Sequence, residues 1–508
     1  MVRNALTSYA LRGLVGLSAL ALTPYLFRRL GDAGFGTWSV MLTLTTVYTV
    51  VTFGYVSAGG KLVAELRGRD DRARLGVLSR TSTGLMGLAG FAALALALVL
   101  AAFASGLAAD GQEEEFAIGM AILGASMLLY FPGTAWGATL VGYGRYDRYN
   151  AAEGVAVVVF TAGTVIALEA GGDVLSVAIA QAAGYAAGGL TALVLLRRTD
   201  PRLPLRPGLA DRATRREVAG IGSLTVLAEA ALFVSLRMDT VVIAALRGAA
   251  AAAPFAAALK LQSGLQALTL PFLLLLLPTA AERWARGDHE GVRERLVTST
   301  RAALQITLPL AAGLALFAPE LVDAWLGDDA PGVTAGIVAV LMAVQTVTLT
   351  VVAAEKVLIA VGRAKQIAIL AVIEGIANLG LSIFLVSELG AIGAALGTLF
   401  TTAVLAPVRF PLVARAVEIP MSRLAWGGVA APVLSSLPAI AVMVAAWALL
   451  EDDLARVVVG LGGGLCLAVA IGLRQIGSAR IRGAFAELRA GRADPELGDE
   501  PESRASAT

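Results

Sequence analysis

Few side chains in this sequence could hold a charge inside a bilayer, and those few bound the chemistry open to it. Arg12, Arg237 and Lys260 fall within apolar runs, as do the acids Glu229, Asp239 and Glu374. A basic residue at mid-membrane costs about 2.5 to 3.5 kcal/mol, so the three cations facing lipid would cost roughly 8 to 10 kcal/mol together. They must face the interior or snorkel. In a low dielectric such cations can replace the hydration of an anionic group with charge-assisted hydrogen bonds. Ser8, Arg12 and Gly16 share one helix face, as do Lys260, Ser263, Gly264 and Ala267, and the small neighbours leave room beside each cation. The other reading is internal ion pairing. Glu229 lies two turns from Arg237 on the same face and Asp239 is close to it in sequence, so pairing is favoured for Arg237, whereas both readings stand open for Arg12 and Lys260.

Neutral polar residues form stripes of their own. Glu374, Asn378 and Ser382 repeat at i, i+4 and i+8, and Thr45, Tyr48, Thr49 and Thr52 form a hydroxyl face. Such stripes could line a sugar, and Glu374, Glu229 or Asp239 could carry a coupling H+ or Na+. They could equally be interhelical hydrogen bonds, worth about 0.6 kcal/mol each. With one cysteine (Cys466) and one histidine (His289), the chain has no disulfide, no Cys/His zinc site and no Cys/His dyad. No metal site and no resident cofactor is expected, and no enzyme. The 40 basic and 38 acidic residues nearly cancel, which gives no sign of a nucleic-acid partner.

The elements that must position these groups are membrane helices. The chain is 57% hydrophobic and 15% charged with a mean hydropathy of +0.77, far from a soluble domain. Apolar windows of about 20 residues recur from Ala5 to Leu473 and give about fourteen spans. Lys and Arg concentrate in alternate loops, such as Lys61 to Arg80, Arg197 to Arg216 and Arg283 to Arg295. The intervening loops are short and often acidic, as in Glu113-Glu114-Glu115. The positive-inside rule therefore places the basic loops and both termini in the cytoplasm, with Arg28 and Arg29 as the main exceptions. Tyr143, Tyr146 and Tyr149, flanking Arg145 and Arg148, read as an interfacial aromatic belt.

The two halves repeat one another. Leu140 to Arg145 matches Leu358 to Arg363, Ala64-Glu65 matches Ala281-Glu282, and Glu153-Gly154-Val155-Ala156 matches Glu374-Gly375-Ile376-Ala377, each about 220 residues apart. Six spans per repeat make the halves parallel, the arrangement of transporters whose lobes rock around a site between them. The expected division is an N-lobe over 1–196, a cytoplasmic linker over 197–217, a C-lobe over 218–410, two further spans over 411–473 and a cytoplasmic tail over 474–508. In that tail Ile481, Phe485 and Leu488 suit a surface helix, with disorder from Asp494 onward.

Tyr25 to Trp38, Val63-Ala64-Glu65, Leu236-Arg237-Met238-Asp239, Gly142 to Arg145 and Gly362-Arg363 together resemble the polysaccharide-biosynthesis branch of the multidrug/oligosaccharidyl-lipid/polysaccharide exporter superfamily. The resemblance covers roughly residues 5 to 410 and rests on the order of the motifs. It implies an all-α flippase of the bacterial cytoplasmic membrane that moves a polyprenyl-pyrophosphate-linked oligosaccharide from the cytoplasmic to the outer leaflet. Its partners would be the lipid-linked glycan, membrane lipids and polysaccharide assembly proteins. The two additional helices resemble the lipid II flippase branch, and a cation-coupled exporter of drugs or metabolites on the same fold is the other alternative.

The charge asymmetry makes a direct prediction. With Cys466 replaced, a single cysteine at Gln112 reacts with an impermeant thiol reagent in intact cells and one at Pro207 does not. Labelling at Pro207 would overturn the orientation.

Overall fold

Hydrocarbon offers no water to unpaired backbone groups, so a chain of this composition must close its hydrogen bonds within each crossing segment. A computed structural model, describing residues 2–208, 238–274, 276–327 and 330–476, is built of helices with no strand among the described residues. The first helix, α1 (Val2–Gly68), holds two crossings. It reverses at Gly31, whose φ of 66° and ψ of −178° suit glycine alone. Ala19 before the turn and Thr46 after it line the same cavity, so the two limbs lie side by side.

Four helices complete the N-terminal bundle: α2 (Arg72–Ala101), α3 (Glu113–Gly142), α4 (Tyr146–Glu169) and α5 (Val174–Thr199). Asp71 caps α2 through the Arg74 amide at 2.9 Å, and Asp173 with Ser176 forms a reciprocal capping box at the start of α5. The central helix is α3, packed against α1, α2 and α5. Its contact with α5 depends on paired glycines. A Cβ on Gly133 would lie 2.7 Å from Gly189 Cα, and one on Gly189 would lie 2.8 Å from the Leu129 carbonyl oxygen. Helices in lipid associate by this kind of close backbone approach, because burial away from water offers no gain there.

The C-terminal bundle contains α6 (238–247), α7 (Ala249–Leu274), α8 (Leu276–Ala285), α9 (His289–Leu316), α10 (Ala318–Leu326), α11 (Val333–Ala360), α12 (Ala364–Leu389) and α13 (Ala391–Val417). Its middle is α11, the most buried of the long helices, which touches α7, α9 and α13. A 3-10 turn at Ala406–Val408 interrupts α13. Two further helices, α14 (Met421–Leu449) and α15 (Asp453–Gly472), pack on α9. The bundles meet chiefly where α1 lies along α7.

Among the described residues ten helices are long and apolar enough to cross a membrane, or eleven if the bent pair α9 and α10 is one span. The count of fourteen is therefore not confirmed. In part this reflects α1, whose two expected spans form one element, and the seventh expected span, most of which lies outside the described residues. Residues 209–217 of the linker, Glu229, Arg237 and the tail from 477 lie outside them too. The first part of the linker does not hang free: Leu203 and Leu205 are buried, and the Gly208 amide donates to the Arg80 carbonyl at 3.2 Å.

The glycine seam predicts a graded response. Gly189→Ala forces α5 from α3 and should cost about 1 to 3 kcal/mol, a fall of a few degrees in detergent melting temperature. Gly87→Ala, where a Cβ meets nothing within 4 Å, should leave melting unchanged or slightly raised.

Candidate functional site

Between the bundles lies a cavity of about 240 Å3, walled by both limbs of α1, by Phe160 of α4, by Thr240 of α6 and by α7. Lys260 is its one charged wall residue, half-buried on α7. The hydroxyls of Thr23, Ser39, Thr43, Thr46 and Thr240 share the wall. Thr23, Thr43 and Thr46 donate to carbonyls one turn back in α1, at 2.7 to 2.8 Å, which leaves their oxygens as acceptors toward the cavity. One cation among hydroxyls can take a charged, hydroxylated cargo; nothing in the wall is arranged for bond-making.

At the Gly31 end, opposite the arginine-rich loops, the two bundles are tied together. Arg28 donates through Nε to the Leu326 carbonyl (3.1 Å) and through Nη2 to that of Trp325 (3.3 Å), at the carboxyl end of α10 where free carbonyls and the helix dipole favour a cation. Trp325 Nε1 returns a bond to the Leu20 carbonyl at 3.0 Å. Gly36 lies so close to α7 that a Cβ there would fall 2.0 Å from the Ala249 carbonyl oxygen. Arg29 at the same end pairs with Glu169, which also accepts from the Tyr25 hydroxyl at 2.9 Å. Both exceptions to the charge rule are thus engaged in structure.

A second polar group lies inside the C-terminal bundle. Arg409, buried at the start of the last segment of α13, donates to Glu355 Oε1 and to Glu374 Oε2, each at 2.6 Å. One guanidinium between two carboxylates neutralises only one charge; burial makes the second costly, and the neighbouring Lys356 offsets part of that cost at Glu355. One turn further along α12, Asn378 donates to Thr398 Oγ1 (2.9 Å), which donates in turn to Asp239 Oδ2 (2.9 Å). Ser382 faces the same carboxylate, and its Oγ and Asn378 Oδ1 are buried without a formed hydrogen bond.

These placements sort the sequence-derived candidates. Lys260 reaches the cavity; Arg12 is exposed on α1 and is not part of that wall. Glu374 is committed to Arg409, while Asn378 and Asp239 join one network. Thr45 is fully buried and bonds the Met41 carbonyl at 2.7 Å, so the hydroxyl face on this limb is carried by Thr43 and Thr46 instead. The Thr49 side chain and all of Arg237 and Glu229 lie outside the described residues. Arg409 and Glu355 were missed: one reads as a loop cation at a span end, the other adjoins Lys356 and looks solvated.

The tyrosine belt also resolves differently. Only Tyr146 is exposed. The Tyr143 hydroxyl donates to Asp200 at 2.7 Å beneath the Arg67 guanidinium, 4.3 Å from the ring centre, and burial together with the Asp200 carboxylate raises its pKa above the usual phenol value. Tyr149 turns into the N-terminal bundle.

A family profile described as "Lipid II flippase MurJ" matches residues 62–461. A solved structure of the lipid II flippase MurJ in an inward closed conformation superposes with a TM-score of 0.71 at 14% identity, covering 94% of this chain and 99% of that one. An inward-facing multidrug resistance MATE family transporter of the MOP superfamily gives 0.66 at 16% identity, covering 80% of this chain and 94% of that one. An outward-facing conformation of such a transporter gives 0.58 at 16%, covering 82% and 95%. No match was found among curated proteins. At these identities the likeness to solved structures is one of fold.

The buried triad generates a prediction. Arg409→Ala leaves two uncompensated carboxylates and should cost about 3 to 5 kcal/mol, seen as loss of folded protein in the membrane. Arg409→Met combined with Glu355→Gln and Glu374→Gln should restore the yield. Normal yield from Arg409→Ala alone would mean that the triad supports something other than folding.

Proposed function

The chain belongs to the lipid II flippase MurJ family, and we propose that it carries a polyprenyl-pyrophosphate-linked saccharide from the cytoplasmic to the outer leaflet, with lipid II as the cargo. It is a multi-pass membrane transporter of the MOP superfamily and not an enzyme. The sequence alone favoured a polysaccharide precursor; the family favours the peptidoglycan precursor, which presents the same pyrophosphate and sugar chemistry.

The observation that carries this reading is Lys260 beside five hydroxyl-bearing residues in an otherwise apolar cavity between the bundles, which are tied together on the side opposite the basic loops. A pyrophosphate is the part of such a cargo that lipid rejects most strongly. Lys260 replaces its hydration with a charge-assisted bond, the wall hydroxyls accept from the sugars, and the polyprenyl tail stays in lipid. Arg12, exposed nearer the cytoplasmic end of the same limb, meets the pyrophosphate first. Rocking of the bundles about the α1–α7 seam then releases the Arg28 closure and opens the cavity outward.

Asp239 is the place for a coupling H+ or Na+. It is a single buried carboxylate beside two buried oxygens, Asn378 Oδ1 and Ser382 Oγ, that lack hydrogen bonds. Such a donor set suits a proton or a small monovalent cation, and the described residues hold no cluster of three or more acids, histidines or cysteines for a divalent one. A cation-coupled exporter of drugs would want its carboxylates facing the cargo. Here Asp239 and Glu374 are turned into the C-terminal bundle and a lysine faces the cavity.

Reconstituted in liposomes with fluorescent lipid II, Lys260→Ala should slow flipping about ten- to hundredfold at equal folded protein, the loss of a charge-assisted contact worth roughly 1.5 to 3 kcal/mol. Lys260→Arg should retain most of the rate, and Arg12→Ala should raise the lipid II concentration needed for half-maximal rate. Full flipping by Lys260→Ala would remove the support that the cavity gives to an anionic cargo.

A further inference from the structure

The N-terminal bundle encloses a pocket of its own, about 260 Å3, between α1, α3, α4 and α5. Gly133, Gly137 and Gly188 are among its wall residues. Its one charged wall residue is Glu153, half-buried on α4. No hydrogen bond or ion pair engages Glu153 among the described residues, and no base lines the pocket. The matching motif in the second half provides the contrast. Glu374 is held by Arg409, whereas opposite Glu153 the helix α5 presents Gln181, Tyr185 and Gly188. An acid that one half neutralises internally is left in the other half facing a void.

Tyr130, Tyr149 and Tyr185 line the same pocket as that acid. The Tyr130 and Tyr185 rings are tilted at 55° with centres 4.9 Å apart, and Tyr149 and Tyr185 lie within electrostatic reach of the carboxylate. Aromatic faces about one carboxylate attract an organic cation through both the ring quadrupoles and the opposite charge. An anionic pyrophosphate would be repelled by Glu153, and a bare metal ion would find one carboxylate in too roomy and too apolar a pocket. We propose that this pocket is a second binding site, selective for a small organic monocation of the alkylammonium type. It adjoins the inter-bundle cavity, since Ala19, Leu22 and Phe160 form the wall common to both. A bound cation there sets the packing of α1 and α4 on the side facing the cargo.

The test is direct binding to the full-length protein in detergent, which does not depend on the flippase reading. Benzyltrimethylammonium, titrated calorimetrically, should bind saturably with one site. Glu153→Gln should weaken it at least tenfold while melting temperature and elution volume stay normal. Tyr185→Phe, which keeps the ring, should remain within about threefold of the unaltered protein. Should Glu153→Gln not fold, Tyr185→Leu keeps the carboxylate, removes one aromatic face, and should weaken binding about fivefold. Absence of saturable binding to the unaltered protein overturns the proposal and leaves Glu153 a protonated core residue. Equal affinity in Glu153→Gln, or in Tyr185→Leu where that is the variant available, overturns it as well.

Discussion

A charge inside hydrocarbon must find an opposite charge, a set of dipoles or water, and the polar architecture of this protein follows from how each charge meets that demand. Arg409 is the fullest case: its fork takes one oxygen from Glu355 on α11 and one from Glu374 on α12, and so ties three helices at one point. Because α11 is the central helix of the C-terminal bundle, fixing it to α12 and α13 fixes the frame on which α7 and its Lys260 stand. A pair of this kind adds little net stability over an apolar packing of equal volume, but losing one member is costly, so it specifies an arrangement more than it strengthens one.

The sequence made the crossing segments legible because hydropathy is local. Pairing across helices is not local. Glu355 and Arg409 are separated by a whole helix hairpin, and nothing in the one-dimensional pattern reports which face of α11 the glutamate takes. Thr45 and Thr43 differ by two positions, about 200° around a helix, and only the packing of the two α1 limbs decides which of them sees the cavity. Tyr149 was read as a membrane-surface ring from its arginine neighbours, yet small residues on α3, Gly133 and Gly137, leave space that draws it inward. For Lys260 the apolar run and small neighbours pointed to the interior, but left open whether it would face a cavity or an internal partner.

The two halves share a motif but not its electrostatics. In the C-terminal half the glutamate is locked, and the adjacent Asn378, Thr398 and Asp239 network uses the same turns of α12 and α13 for a buried carboxylate that has only neutral partners. In the N-terminal half the equivalent glutamate has no base, and the volume that an arginine would occupy is a pocket. The repeated glutamate is thus paired with an arginine in one half and lines a pocket without a base in the other.

The tie at the Gly31 end shows why movement between the bundles is affordable. Arg28 reaches two carbonyls at the end of α10 instead of a carboxylate, and Trp325 adds one bond to the Leu20 carbonyl. The neutral Trp325 bond is worth about 0.5 to 1.5 kcal/mol net and each Arg28 bond about 1.5 to 3 kcal/mol at most, less where water can replace the partner. A carboxylate in place of those carbonyls would hold more tightly but would also leave an unpaired acid in the cargo's exit path when it opened. The backbone contact of Gly36 with Ala249 supplies shape, and shape is lost and regained without stranding a charge. The strong ionic ties therefore lie within a bundle, at Arg409, and the contacts between bundles at the exit are the weak and replaceable ones. That division lets the contacts at the Gly31 end break without dismantling either bundle.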